Sequence, residues 1–209
     1  MANKRDFDNL AATWDDNPGR ISAARGICEA IRREVLLSDA LQALDYGCGT
    51  GLVTLGLQPG LGSIVAADSS EGMLRVLQDK LAAAQIDNVR TLKLDLEHEE
   101  PSEGRYDLIF SSLTMHHLEH PGVVIGRLAQ MLQAGGVLAI VDLDKEAGDF
   151  HADNTGVAHF GFSAEEMQEM LRSAGLMQVR TVKATTVTKP VAGGVMRNFD
   201  VLLTLGIRG

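Results

Sequence analysis

Apolar positions along the chain follow two alternating patterns from about residue 41 onward. Short, nearly continuous apolar runs predict strands, because strands of a parallel sheet are buried on both faces. Between them, apolar residues recur every three or four positions, as on one face of a helix. Seven strands are predicted, at Leu41–Tyr46, Ser63–Asp68, Val89–Leu94, Tyr106–Ser112, Gly136–Leu143, Met177–Lys189 and Arg197–Ile207.

The helices predicted between these strands have start and stop signals. Ser163 and Glu166 form a capping box, and Gly175 ends the helix that follows. The set is Leu52–Leu57, a helix capped by Ser70 and running to Gln85, Pro121–Gln133 ended by Gly135 and Gly136, and Ser163–Ser173. Two further helices, Phe7–Asp16 and Pro18–Leu37, precede the first strand. We therefore expect a helical cap over residues 1–38 and one domain over residues 39–209.

The last two predicted strands are joined by the turn at Pro190–Gly194, with no helix between them. Such strands pair as an antiparallel hairpin, since a parallel return needs a crossover. The predicted fold is therefore α/β, a doubly wound and mostly parallel seven-stranded sheet whose last strand is antiparallel, with helices on both faces.

Composition narrows the function classes. The 209 residues carry a formal net charge of −9, which disfavours nucleic acid as a substrate. Cys28 and Cys48 do not imply a disulfide framework, so a reducing cytoplasm is the simple interpretation. Residues 1–6 are not followed by an apolar signal region, and no apolar run approaches the ~20 residues that span a bilayer. We expect a soluble, cytoplasmic protein without membrane insertion.

The candidate chemistry centres on a glycine-rich turn, Asp45 to Gly51, between the first strand and a helix. Glycine lets the backbone approach a ligand, and the next helix offers free N–H groups. A dinucleotide fingerprint, G-x-G-x-x-G, would need glycine where Leu52 stands, which counts against NAD or FAD. Asp68 ends the second strand 21 positions after Gly47, within reach of a ribose.

The run Leu44 to Gly51 resembles the first motif of the class I S-adenosylmethionine (SAM)-dependent methyltransferases. Ser69 to Leu74, the His116-His117-Leu118 run and Met131 to Leu138 are also similar to that family. The resemblance covers residues from about 40 to 209 and implies the strand order 3-2-1-4-5-7-6. It also implies that Asp95 bonds the adenine amino group and that the N–H of Leu96 bonds a ring nitrogen. The cofactor-binding set is Asp45, Gly47, Cys48, Gly49, Gly51, Asp68, Ser69, Met73, Asp95, Leu96 and Ser111. Capping or turn roles for Asp95, and core packing for Met73, stay open.

Chain order places His116 and His117 between cofactor and acceptor, where an imidazole can act as a base. A packing or hydrogen-bonding role for either residue is the alternative. Four further candidates for the acceptor side are Trp14, His151, His159 and Phe160. A metal site built from His151, His159 and nearby aspartates lacks the usual ligand spacing, so no metal is expected.

The sequence therefore predicts methyl transfer from SAM to a small-molecule acceptor, and the general likeness is to the ubiquinone/menaquinone-biosynthesis type. The run Ser111 to Thr114 stands where nucleic-acid amino-methyltransferases carry a proline-rich motif. The alternatives are a non-catalytic SAM-binding module and, less favoured, a nicotinamide-dependent oxidoreductase. A monomer or a homodimer is expected.

Overall fold

A computed structural model describes residues 6–101 and 105–209 of the chain. The segments 1–5 and 102–104 lie outside the described residues, and with the first of them part of the predicted cap. The seven strands are β1 (Gln42–Tyr46), β2 (Ser63–Asp68), β3 (Val89–Lys93), β4 (Tyr106–Ser112), β5 (Leu132–Leu143), β6 (Leu176–Pro190) and β7 (Met196–Arg208). The α-helices are α1 (Phe7–Leu10), α2 (Pro18–Glu34), α3 (Leu52–Leu57), α4 (Glu71–Ala84), α5 (Pro121–Met131) and α6 (Ala164–Ser173).

The strands form one sheet in the order β3-β2-β1-β4-β5-β7-β6. Strands β1 to β5 pair in parallel, whereas β7 pairs antiparallel with both β5 and β6. The expected fold class, strand order and terminal hairpin are confirmed. The carboxyl ends of β1, β2 and β4 lie side by side, at the place where open α/β sheets bind ligands.

Both faces of the sheet are covered by helices, as the nearly continuous apolar strands predict. One apolar core joins one sheet face to α2, α3 and α4, with Ile27, Leu57 and Leu77 fully buried. A second core joins the opposite face to α5 and α6, with Leu128 and Leu171 fully buried. Because α2 shares a core with the strands, it is packed into the domain, and the division at residue 38 stays a prediction.

Local sequence signals predict most ends of the helices and strands correctly. Ser70 caps α4 by accepting the N–H of Met73, and the capping box of Ser163 and Glu166 is present in full. Gly175, with φ of 82°, follows the end of α6 as predicted. No helix in the described part of the chain is long and apolar enough to cross a bilayer.

Several predicted bounds are wrong. Helix α5 ends at Met131, not at Gln133, because the fully buried Leu132 is extended and pairs with Tyr106 at the start of β5. Gly135 is left-handed, but it lies in an irregular stretch of β5 rather than at the helix end.

The helix predicted over 18–37 ends at Glu34, and that over 7–16 consists of a short α-helix followed by a 3-10 helix at Ala11–Asp16.

Candidate active site

The glycine turn after β1 is docked on β2 through its backbone. The N–H groups of Gly47 and Cys48 both donate to the carbonyl of Ala67, at 2.8 and 3.0 Å. Gly47, Gly49 and Gly51 all have positive φ, of 73°, 55° and 82°. A Cβ atom at Gly47 would collide with the Thr114 side chain.

The three glycines have different surroundings. A Cβ atom at Gly51 would collide with Leu77, so Gly47 and Gly51 permit close packing of the chain on itself. Beside Gly49, no atom of the described residues lies within 4 Å of the position of a Cβ. Of these three glycines, only Gly49 therefore borders open space within the described part of the chain.

Asp68 joins the end of β2 to this turn. Its carboxylate accepts the N–H of Gly49 at 2.8 Å and the N–H of Ser70 at 2.9 Å. Burial raises the pKa of Asp68, against the lowering effect of these backbone hydrogen bonds. The neighbouring Ser69 is exposed. The Asp68 carboxylate thus holds the backbone of Gly49 in position beside the open space.

Asp45 is fully buried at the end of β1. Its Oδ2 accepts the hydroxyl of Thr54 at 2.6 Å, whereas its Oδ1 has no hydrogen-bond partner among the described residues. Burial raises the pKa of Asp45 to about 7, and the nearby Asp68 adds to the effect. A buried oxygen with a lone pair and no donor suits a bound cationic or N–H group.

Other predicted cofactor residues have structural roles in this arrangement. The N–H of Leu96, expected to meet a ring nitrogen, donates to the Tyr46 hydroxyl at 3.1 Å. The Ser111 hydroxyl donates to the Tyr46 carbonyl at 2.7 Å, so Ser111 does not face the cleft with a free donor. Asp95 accepts the N–H of Glu97 at 3.1 Å in a turn.

Two more members of the predicted set are buried. Met73 is 2% exposed, and Cys48 is 8% exposed with its thiol directed at the Gly49 carbonyl at 3.6 Å. Burial raises the pKa of the Cys48 thiol well above its ordinary value. Cys48 is therefore a small buried side chain rather than a nucleophile.

An N-terminal strap, residues 7–16, crosses the carboxyl ends of the strands. Asp8 accepts the Ser70 hydroxyl at 2.6 Å and the Gly72 N–H at 2.7 Å, at the start of α4. Asp15 accepts the Thr50 hydroxyl at 2.7 Å and forms an ion pair with Lys80. The strap therefore lies against the glycine turn and the start of α4.

Histidines from two segments meet beside the strap. His116 and His117 follow β4 in a 3-10 helix, and His151 comes from the segment between β5 and α6. The ring centroids of His116 and His117 are 4.1 Å apart, and the Nε2 atoms of His116 and His151 are 3.2 Å apart. Phe7 of the strap packs on His117 with ring centroids at 5.1 Å, and Trp14 packs on Phe7 at 5.9 Å.

Asp142, at the end of β5, orients the imidazole cluster. Its carboxylate lies 2.6 Å from Nδ1 of His116 and also accepts the backbone N–H of His116. Burial acts to raise the pKa of Asp142, but the charge and hydrogen bond of His116 bring it below its ordinary value. Nδ1 of His117 lies 2.8 Å from the carbonyl of Gly156.

The four candidates for the acceptor side are divided between two places. His151 joins His116 and His117, and Trp14 reaches them through Phe7. His159 packs on Phe162 and, with Phe160, lines a separate groove of about 1080 Å³ between α5 and α6. His151 and His159 therefore lie in different sites, although both follow β5.

Sequence reasoning missed Tyr46 and Asp142. Asp142 gave a signal, because it is an acid inside the apolar run of β5, and buried carboxylates require partners. Tyr46 gave none, since the reach of its hydroxyl to Leu96 depends on how β1 and β3 are placed in the sheet.

Comparison with known proteins agrees with this architecture. A family model described as "Methyltransferase domain" matches residues 43–136. An uncharacterized methyltransferase of Schizosaccharomyces pombe is 26% identical over 194 residues, covering 86% of this chain and 64% of the relative. A ubiquinone biosynthesis O-methyltransferase of Marinobacter nauticus is 25% identical over 199 residues, covering 86% of this chain and 83% of the relative.

A crystal structure from Thermotoga maritima, titled as a SAM-dependent methyltransferase and possible histamine N-methyltransferase, has the same fold. It superposes with a TM-score of 0.72 at 16% identity, covering 97% of this chain and 98% of that one. The chain spans 64% of the length of the S. pombe relative and 30% to 48% of four other curated relatives. The family model, the relatives and the fold agree: the chain resembles methyltransferases in sequence and has the fold of the class I S-adenosylmethionine-dependent methyltransferases.

Proposed function

We propose that the protein transfers a methyl group from SAM to a small-molecule acceptor and releases S-adenosylhomocysteine. The observation that carries this proposal is the open space at Gly49, whose N–H donates to Asp68, together with the unpartnered Oδ1 of Asp45 at the start of the same turn. A ligand with an amino-acid end and a ribose would supply an ammonium donor for the Asp45 carboxylate and hydroxyl donors for the Asp68 carboxylate. The residues present therefore fit SAM.

The cofactor would be held by the carboxyl ends of β1, β2 and β3. Gly47, Gly49 and Gly51 shape the turn that admits its amino-acid end, and Asp45 offers a buried acceptor to its ammonium group. Asp68 would accept hydrogen bonds from the ribose hydroxyls. Asp95 and Leu96 would take the adenine, which requires the Leu96 N–H to leave the Tyr46 hydroxyl.

When bound, SAM supplies a methyl carbon that its sulfonium makes electrophilic. The task of the chain is then to place the acceptor in line with it and to exclude water, and such placement contributes about 7–11 kcal/mol in favourable cases. The strap is suited to this task, because Asp8 and Asp15 tie it across the cleft and Phe7 covers the histidines.

A small-molecule acceptor is supported by charge, since the whole chain carries a net charge of −9 and would repel a nucleic acid. The relative from Marinobacter nauticus, which is named for ubiquinone biosynthesis, also favours a small acceptor. Action in the cytoplasm, as a monomer or homodimer, belongs to the same proposal.

A hydroxyl acceptor would have to lose a proton, and His116 is the first candidate to accept it. Its Nδ1 faces the Asp142 carboxylate at 2.6 Å, which favours the tautomer with the lone pair on Nε2. His117, held by the Gly156 carbonyl, is the second candidate. An amine or thiolate acceptor would need little help from either.

Two measurements test the proposal. Calorimetry should show that SAM binds and that NAD does not. Binding of NAD would instead indicate the nicotinamide-dependent oxidoreductase. Incubation with candidate quinols, amines and thiols should then release S-adenosylhomocysteine in at least one case. Binding of SAM without turnover in a broad metabolite screen would favour a non-catalytic SAM-binding module.

A further inference from the structure

The nitrogens of His116, His117 and His151 converge on one point at the acceptor side of the cleft. One ligand nitrogen from each ring lies within 4.8 Å of the others, and the Nε2 atoms of His116 and His151 are 3.2 Å apart. Two imidazole nitrogens bound to a tetrahedral zinc ion at about 2.0–2.1 Å lie roughly 3.3–3.4 Å from each other. The observed spacing of the first pair is therefore close to that of two ligands of one ion.

The groups that face the second ring nitrogens of His116 and His117 are of the kind that usually supports metal ligands. A metal-binding histidine generally presents its second ring nitrogen to a carboxylate or a backbone carbonyl, which fixes its tautomer and orientation. His116 presents Nδ1 to the buried Asp142 carboxylate at 2.6 Å, and His117 presents Nδ1 to the Gly156 carbonyl at 2.8 Å. In both rings this arrangement directs the lone pair of the neutral imidazole to Nε2.

The two sides of the cluster come from separate parts of the fold. His116 and His117 follow β4, Asp142 ends β5, and His151 is supplied by the segment after β5. That segment is ordered by Glu146, whose carboxylate accepts the N–H groups of Gly148, Asp149 and Phe150. Its Phe150 ring packs on His151 and on Phe199 of β7, with centroids at 4.9 and 5.3 Å. His151 is therefore directed at the other two histidines by its own packing.

From this geometry we propose that His116, His117 and His151 bind one divalent transition-metal ion, with zinc as the best fit. Imidazole ligands suit zinc, and three histidines leave the fourth tetrahedral position open. The proposal differs from the sequence expectation of no metal, because the three histidines are brought together only by the pairing of β4 with β5 and by the segment that follows.

The open position would allow the ion to bind and activate the acceptor. This role rests on the proposed methyl transfer. An acceptor with a hydroxyl or thiol group would bind there through its oxygen or sulfur. The ion would then replace His116 as the group that activates the acceptor, because the lone pair of His116 Nε2 would be bound to the metal, and the acceptor proton would pass to solvent. The anion that remains is a stronger nucleophile and is fixed in place. The methyl carbon would then form its new bond to that oxygen or sulfur, while its bond to the sulfonium sulfur breaks and leaves a neutral thioether.

The test uses the full, tag-free chain, stripped of metal with a chelator and titrated with Zn²⁺ by calorimetry and with Co²⁺ by visible absorption. We expect one ion per chain and the absorption bands of a tetrahedral cobalt site. H151Q and H117Q should weaken binding at least tenfold, and D142N, which alters the support of His116, should weaken it by about 10- to 100-fold. H159Q is the matched control, because the His159 ring lies in the groove between α5 and α6.

Circular dichroism of each variant checks that it is folded, and H151Q keeps the test valid if variants of the buried His116 are not. Absence of zinc and cobalt binding to the folded chain, or binding unchanged in both H151Q and H117Q, would overturn the proposal and indicate a hydrogen-bonded imidazole cluster. A parallel titration with SAM separates the two hypotheses. SAM binding without metal binding would contradict the metal site and leave the proposed function intact. Metal binding without SAM binding would support the metal site and count against the proposed function.

Discussion

The Tyr46 hydroxyl accepts the backbone N–H of Leu96 at 3.1 Å, which links the end of β1 to the segment after β3 across the intervening β2. Leu96 is fully buried, so this N–H has to be paired. The family resemblance assigns the same N–H to the adenine ring. The proposed adenine contact would therefore replace the hydroxyl of Tyr46 at this N–H.

Tyr46→Phe should reveal this exchange. Loss of the hydroxyl leaves the Leu96 N–H unpaired, and we expect the free energy of unfolding to fall by about 1–3 kcal/mol. Saturating SAM should raise the melting temperature of the variant more than that of the wild type, because the cofactor then satisfies the freed group. Equal shifts in the two proteins would show that the adenine does not use Leu96.

Gly49→Ala should separate ligand binding from folding. Backbone strain at φ of 55° should lower stability by about 1–2 kcal/mol, since no described atom would be in contact with the new Cβ. The methyl group fills the proposed cofactor space, so SAM affinity should fall roughly 5- to 150-fold, the range of overpacking penalties.

Gly135→Ala is the matched control for that experiment. Gly135 has φ of 78°, and no atom in the described ranges lies within 4 Å of its would-be Cβ, but it lies in β5 away from the turn. It should show the same loss of stability with unchanged SAM affinity. Equal SAM affinities for the two variants would remove Gly49 from the cofactor site.

Asp68→Ala should weaken SAM binding by more than ~1 kcal/mol, the scale of a lost charge-assisted hydrogen bond. The variant should also be less stable, because the N–H groups of Gly49 and Ser70 lose their acceptor. Calorimetry at a temperature where the variant is folded measures the affinity. Asp87→Ala changes an exposed aspartate before β3, at the opposite end of the strands, and should bind SAM as the wild type does.

Lys80→Ala tests the strap. Lys80 holds Asp15 and the Thr50 carbonyl, so its loss should loosen the strap and reduce SAM affinity by roughly two- to fivefold, the scale of a partly exposed ion pair. The dissociation rate of SAM, followed by stopped-flow fluorescence of Trp14, should rise accordingly. Lys93→Ala breaks the exposed pair with Glu71 and should leave both quantities unchanged. A strap without a role in retention would leave Lys80→Ala unchanged as well.

Asp45 should make stability depend on pH. Its pKa is raised to about 7 in the folded chain, so the folded state keeps a proton that the unfolded chain releases near pH 4. The resulting stabilisation is complete below about pH 4 and is lost as pH rises to about 7, by at most about 1.4 kcal/mol per pH unit.

Denaturant unfolding between pH 5 and pH 8 measures this effect. The wild type should lose stability relative to Asp45→Asn across that range, and the difference should level off above about pH 7, the folded pKa. SAM affinity of the wild type should rise over the same range, because the ionised carboxylate is the form that binds an ammonium group. A constant difference in stability between the two proteins would show that Asp45 does not titrate in this range.

Much of the fold was predictable because its signals are local. Apolar runs and cap residues identified β2 and β4 with correct ends, and the missing crossover helix identified the hairpin of β6 and β7. Where a local signal competed with burial, burial decided: Leu132 entered β5, and Gly135 did not end α5 as its residue type suggested.

The sequence by itself determined the fold class, the glycine turn and the acids at the strand ends, because each depends on residues close together in the chain or on a fixed period. Only the tertiary structure decided which side chains meet. It paired Tyr46 with Leu96, brought Asp142 and His151 to His116, and directed His159 to a different groove. These contacts join residues far apart in sequence, and their geometry is set by strand pairing and loop packing, which leave no periodic pattern in the chain.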